Sequence, residues 1–301
     1  MSDERVSAWD GDDFGALLAL DQLGPNRLRS RSGEANDHDR VYGGQLLAQT
    51  VMAAARTVAP DRPPTALQFL FLQGARPERP IDYEVTTLQE GKRFSARHVR
   101  GAQAGGRLVC DAQLSFGMAL DGPAHMAAPD VAAFADEDPE TLPRLTDLPP
   151  ALGAEIHRVM SYAFAASRAV DLRAPDGAGG MRPQTPEPRL RFWIRTRRAL
   201  PDDPLLHAAA FAYLSDWWLN FPAAGAHVRA TAEAGRRLYV ASLNHAIWWH
   251  RPLRADEWLH FDSVSPSAAA GRGLTIGRIH DRAGRLVASA TQECLMVTRD
   301  E

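Results

Sequence analysis

Residues 201–220 read PDDPLLHAAAFAYLSDWWLN. Asp203 is placed to cap the free N–H groups of a first helical turn, and Pro204 fits the first helical position, where a missing N–H costs nothing. From Leu205 to Trp218 the run is apolar on nearly every side, with no Lys or Glu. A helix of that kind is enclosed by protein rather than laid on a surface. It nevertheless ends on one acid, Asp216, set between Leu214 and Trp217. Burial and the negative end of the helix dipole both disfavour a carboxylate there. Both raise its pKa, which is what a general base requires. Asp216 is therefore the first candidate catalytic residue. The blander alternative is a cap, or an ion pair with one of the many arginines.

An enclosed helix needs a sheet around it. Strand-like runs lie on either side, at 170–173 and 189–198 before it and at 238–250, 258–264, 273–280 and 286–297 after it. The first half of the chain repeats the order. A strand at 27–32 is followed by a second Ala-rich buried helix at 41–58, VYGGQLLAQTVMAAARTV, then by strands at 66–72, 83–88, 93–100 and 107–116. Gln89-Glu90-Gly91 and Ala104-Gly105-Gly106 punctuate the hairpins. A short amphipathic helix is expected at 13–23. Arg107-Leu108-Val109 opens the last strand of one half and Arg285-Leu286-Val287 that of the other, each after a Gly-containing turn. The expected architecture is α+β: two tandem copies of one unit packed as a pseudo-dimer, each with a long helix wrapped by an antiparallel sheet. The boundaries are 1–118 for the first repeat, 119–165 for a Pro- and acid-rich linker with a helix near 151–166, and 166–301 for the second repeat.

The chain has 301 residues, 24% of them charged, and a formal net charge of −3. Its basic residues are scattered arginines, which gives no case for nucleic acid. Cys110 and Cys294 stand far apart and form no CxxC pair, so no disulfide framework or zinc site is expected. The acidic start MSDERVSAWDGDD is unlike a signal peptide, and no apolar run approaches the roughly 20 residues that cross a bilayer. A cytoplasmic protein with no membrane partner is expected.

Four polar residues interrupt apolar strand faces. The last strand alternates as Leu286, Ala288, Ala290, Gln292, Cys294, Met296. Aligning Leu108 with Leu286 sets Leu114 opposite Gln292, so only the second half carries an amide there. A buried amide has to satisfy its donors and acceptor, on a neighbouring backbone or in a site. The run 238–250 carries Ser242 and Asn244 on one face by strict alternation, and His245 on the other. His250 is read, like His245, as a packed or hydrogen-bonded histidine, since the pair is badly placed for one metal. No GxSxG elbow is present, and Gly271-Arg272-Gly273 lacks the spacing and following helix of a dinucleotide loop.

Several longer motifs now resemble one family, the acyl-CoA thioesterase II (TesB-like) tandem hotdog enzymes. They are Val41-Tyr42-Gly43-Gly44-Gln45, Gly91-Lys92-Arg93-Phe94-Ser95-Ala96-Arg97, Tyr213-Leu214-Ser215-Asp216, the stretch from Asn244 to Pro252, and Ala288-Ser289-Ala290-Thr291-Gln292-Glu293. The resemblance implies a double hotdog fold and hydrolysis of fatty acyl-CoA to a free acid and CoA, without cofactor or metal. It places the family's catalytic Asp, Gln and hydroxyl on Asp216, Gln292 and Ser242. Gly43, Gly44, Asn244 and His245 are the accompanying candidates for substrate binding, and Arg97, Arg272 and Arg278 for the CoA phosphates. It also implies a homodimer or larger assembly. The chain departs from the family in having Ser242 for Thr, Asn244 for Asp, Gln68 and Phe69 in the first-half strand, and Gln73-Gly74-Ala75 after it. Two alternatives remain at this point: a hotdog enoyl-CoA hydratase, and an acyl-CoA-binding protein without turnover.

Overall fold

The computed structural model describes residues 5–36, 38–126, 137–144, 168–174 and 188–300. The helix expected at 151–166 and most of the 174–188 loop lie outside them. The first repeat comprises β1 (Ser7–Ala8), α1 (Phe14–Leu18), β2 (Leu20–Gly24), β3 (Arg27–Ser30), β4 (Ser32–Gly33), α2 (Gly43–Ala55), β5 (Pro64–Phe71), β6 (Asp82–Glu90), β7 (Phe94–Gln103) and β8 (Arg107–Gly117). The second comprises β9 (Val170–Arg173), β10 (Arg189–Thr196), α3 (Pro204–Ser215), α4 (Phe221–Glu233), β11 (Arg236–Trp249), β12 (Leu259–Ala269), β13 (Arg272–Asp281) and β14 (Leu286–Asp300).

Twelve of these strands form one sheet in the order β2-β3-β6-β7-β8-β5-β11-β14-β13-β12-β10-β9. Each half of that order mirrors the other in sequence position, as a tandem repeat demands. The halves join where β5 and β11 run antiparallel, from Asn244 opposite Leu70 to Trp248 opposite Ala66. The sheet is thus continuous across the repeats, and neither of these two strands is an unpaired edge.

Helices α2 and α3 pack against each other. Helix α3 begins as its sequence requires: the Asp203 side chain accepts from the Leu205 N–H, with Pro204 in the first turn. Every residue from Leu206 to Ser215 is buried. Burying a Leu or Phe side chain fully contributes roughly 1.5–3 kcal/mol, so Leu214 and Phe211 (both 0% exposed) more than offset one awkward polar group nearby.

Two elements differ from expectation. The helix expected at 13–23 stops at Leu18, and Leu20–Gly24 is an edge strand paired with β3. Sheet pairing, with Leu20 and Leu28 both buried, wins over the helical period. Helix α4 was not foreseen, because Pro222 and Gly225 look like turn residues; Pro222 instead occupies the first turn, where it is tolerated. Among the described residues no helix is long and apolar enough to cross a membrane.

Candidate active site

Asp216 is the C-terminal cap of α3 and is 8% exposed. Its pKa is pushed up from 3.8 to about 7, chiefly by burial. Two donors work against that rise: the Gln292 amide and the Gly44 N–H. The second belongs to the N-terminus of α2. Asp216 therefore stands at the negative end of its own helix and the positive end of the other.

The approach of α2 needs its two glycines. A Cβ on Gly43 would stand 2.5 Å from Asp216 Oδ2 and 3.0 Å from the Phe71 ring; one on Gly44 would stand 2.5 Å from the Tyr213 carbonyl oxygen and 2.4 Å from the Tyr42 ring. The two Ala variants should therefore fail differently. Gly43→Ala displaces a side chain, and should lower kcat by about 10²-fold while the protein stays folded. Gly44→Ala meets backbone, and should cost about 1–3 kcal/mol in urea unfolding. Equal effects of the two in both assays would contradict this placement.

Strands β11 and β14 supply the other partners. Gln292, fully buried, donates from Nε2 to Asp216 Oδ1 at 2.8 Å and to Ser242 Oγ at 2.6 Å. Strict alternation had set Ser242 and Asn244 on one face, with His245 opposite. The structure corrects this. The β11–β14 register shifts between Ser242, opposite Cys294, and Asn244, opposite Glu293. That β-bulge adds one residue to β11 and brings Ser242 and His245 to the same inner face. Asn244 faces the other way, donating to Glu293 Oε2 at 2.9 Å.

His245 is 1% exposed and its ring touches Gln292, with Nδ1 at 3.3 Å from Oε1. Burial pushes its pKa down to about 4, so the ring is neutral at physiological pH. Ser215 Oγ lies 2.9 Å from its Nε2.

The arginines are elsewhere. Arg97, 2% exposed, is tied within the first repeat to Thr57, Gln89, Ala96 and Glu90. Arg272 pairs with Glu293 at 3.1 Å. Arg272 and Arg278 share the exposed row of β13, whereas Thr275, opposite Gln292, points inward. The structure brings together Gly43, Gly44, Asp216, Ser242, His245 and Gln292, and leaves Arg97, Asn244, Arg272 and Arg278 outside.

Three site neighbours escaped the sequence analysis. Asn220, 3% exposed, donates from Nδ2 to Ser242 Oγ at 3.1 Å. The chain reaches it through Trp218, a bulky residue at φ +60°, where an L side chain is strained. Ser215 adjoins His245. Glu34 accepts from the Tyr213 hydroxyl at 2.8 Å, and burial followed by the charge of Asp216 raises its pKa to about 8. Asn220 was legible in principle, as a second polar residue four positions after Asp216. Glu34 sits in the polar run SGEANDHDR, where an acid carries no signal. Among the described residues no group of three or more His, Cys, Asp or Glu side chains is placed to hold a metal.

Comparison with known proteins gives this geometry a family. Residues 31–117 match the Acyl-CoA thioesterase N-terminal domain and residues 134–296 the Acyl-CoA thioesterase C-terminal domain. The chain is 30% identical over 285 residues to Acyl-CoA thioesterase 2 of Haemophilus influenzae, covering 93% of this chain and 95% of that protein. It is similar to the crystal structure of an acyl-CoA thioesterase II from Mycobacterium marinum, with a TM-score of 0.73, 32% identity, and 95% and 97% of the two chains covered. A protein of unknown function with a hotdog fold from Alicyclobacillus acidocaldarius, 19% identical, shares the fold with a TM-score of 0.72 over 94% and 97% of the chains. The chain belongs to the acyl-CoA thioesterase II family and is a thioester hydrolase on a tandem hotdog fold.

Proposed function

We propose that the second repeat hydrolyses fatty acyl-CoA to free acid and CoA, with Asp216 as general base for an attacking water. The observation that carries this reading is the single amide of Gln292 donating to both Asp216 and Ser242. Donor accounting assigns the parts. Ser242 Oγ accepts from Gln292 and from Asn220, so its own proton points outward as a donor. A water that accepts from Ser242 and donates to Asp216 keeps one lone pair for the thioester carbon. Gln292 spends both N–H bonds on its neighbours and acts by aligning them. As water adds to the carbonyl carbon, Asp216 takes one of its protons. The tetrahedral intermediate then expels the CoA sulfur, the C–S bond breaks, and the thiolate recovers the proton from Asp216.

The base works when ionised, and its pKa is raised to about 7. Activity is therefore lost as pH falls through about 7, and kcat/KM for a saturated acyl-CoA should drop tenfold per pH unit below it. Stability runs the other way. The folded state binds this proton more tightly than the unfolded chain, so that contribution is complete below pH 3.8 and lost as pH rises through about 7. A rate flat from pH 5 to pH 8 would contradict the assignment. The reaction itself is tested by thiol release from a saturated acyl-CoA. Hydration of an enoyl-CoA without thiol release would favour the hydratase reading instead.

A further inference from the structure

The hydrogen-bond chain behind Asp216 has a direction, and one residue sets it. Its members are Ser215, His245, Gln292 and Asp216, linked at 2.9, 3.3 and 2.8 Å. The amide of Gln292 has one donor end and one acceptor end. An ionised Asp216 accepts only, and Ser242 Oγ accepts from the same Nε2 while its own proton faces the water. The –NH2 end of Gln292 therefore faces them, and its carbonyl Oε1 faces the His245 ring. An acceptor at Oε1 needs a proton on Nδ1. A neutral ring with that proton has a bare Nε2, which has to accept from the Ser215 hydroxyl. The hydroxyl also lies 2.8 Å from the Ala212 carbonyl oxygen, but it has one proton, and only that proton is within reach of a bare Nε2.

We propose that His245, as its Nδ1–H tautomer, is a positioning residue that locks the amide of Gln292 in the orientation serving both Asp216 and Ser242. The proposal rests on the role given to Gln292 above. It differs from the sequence-level assignment of His245 to substrate binding, since the ring is enclosed behind Gln292 and reaches the reaction only through it. Burial helps, because it keeps the ring neutral and therefore able to present one donor and one acceptor. A protonated Asp216 would allow the opposite polarity, with Asp216 donating to a flipped amide, Nδ1 bare and Nε2–H on Ser215. The carboxylate charge selects between the two, and the base-competent state is the one with Nδ1–H.

Two measurements test this. The first is the histidine tautomer in the full-length protein at pH 9, where Asp216 is ionised, read by long-range 1H–15N correlation with 15N-labelled histidine. The signals of His245 are identified by their absence in His245→Asn. Protonated Nδ1 and unprotonated Nε2 are expected; protonated Nε2 overturns the proposal. The second uses the shapes of the amides. Asn places its Nδ2 where His places Nδ1, Gln places its amide where His places Nε2, and Leu has Asn's shape without a donor. His245→Leu should lower kcat by about 10²-fold with KM within about twofold, the size expected for a misaligned reacting group. His245→Asn should recover most of that loss, and His245→Gln should not. Equal losses in Asn and Leu overturn the proposal and reduce His245 to packing. Nδ1–H with full rates in all three variants also overturns it, while leaving thioester hydrolysis by Asp216 intact. Full hydrolysis by Asp216→Asn would instead strike the reading of the base and not the tautomer.

Discussion

Asp216→Asn is expected to lower kcat for a saturated acyl-CoA by about 10³-fold and to leave the protein folded, within the range of general base catalysis. The side chain keeps its shape, and its carbonyl oxygen still accepts from Gln292, which holds Asp216 Oδ1 at 2.8 Å. The amide has no basic oxygen for the water proton, and its –NH2 end meets the Gly44 N–H, donor against donor. KM should change little, because the loss falls on the transition state. The same variant has a signature in stability. Wild type should lose stability as pH rises through about 7, since an ionised Asp216 is poorly solvated. The Asn variant carries no such charge and should be the more stable protein at pH 9 in urea unfolding. A rate within twofold of wild type, checked by thiol release at pH 8, would remove Asp216 from the mechanism.

Gln292→Leu is the second large effect, expected at about 10²-fold in kcat through misalignment. It writes into the second repeat the residue the first carries at Leu114, which is 1% exposed in an apolar setting. Volume is nearly kept, but three groups lose a partner together: Asp216, Ser242 and His245 Nδ1. The pH profile should move as well. The Gln292 N–H lowers the pKa of Asp216, so its removal raises that pKa, and the acid limb shifts to higher pH. Rate loss with an unmoved acid limb would show that Gln292 does not touch the base during turnover.

The buried helix and its terminal acid were legible because an apolar run with one carboxylate has few structural explanations. The repeat was legible because two halves with the same element order and the same Arg-Leu-Val triplet declare a shared unit. The β-bulge between Ser242 and Asn244 was not legible: alternation assigns faces, and no residue type there announces an extra position. Nor was the fate of Arg97, whose guanidinium is spent on backbone carbonyls and Glu90 instead of a ligand. Charge type shows in sequence, but the geometry that consumes the charge does not. Asn220 shows the reverse case. Its buried amide is readable as unusual, yet its partner Ser242 is brought near only by the turn at Trp218.

The join between β5 and β11 sets Phe69 opposite His245. In an assembly of two identical single-repeat chains, each half of the seam would carry the same residues, and an aromatic ring on one side would be obligatory on the other. A histidine suited to one amide could not be installed without installing its twin. Covalent fusion removes that constraint: the two sides mutate independently, and one can give up chemistry to become scaffold. The seam is thus where two fused repeats are free to differ, as Phe69 and His245 do across it.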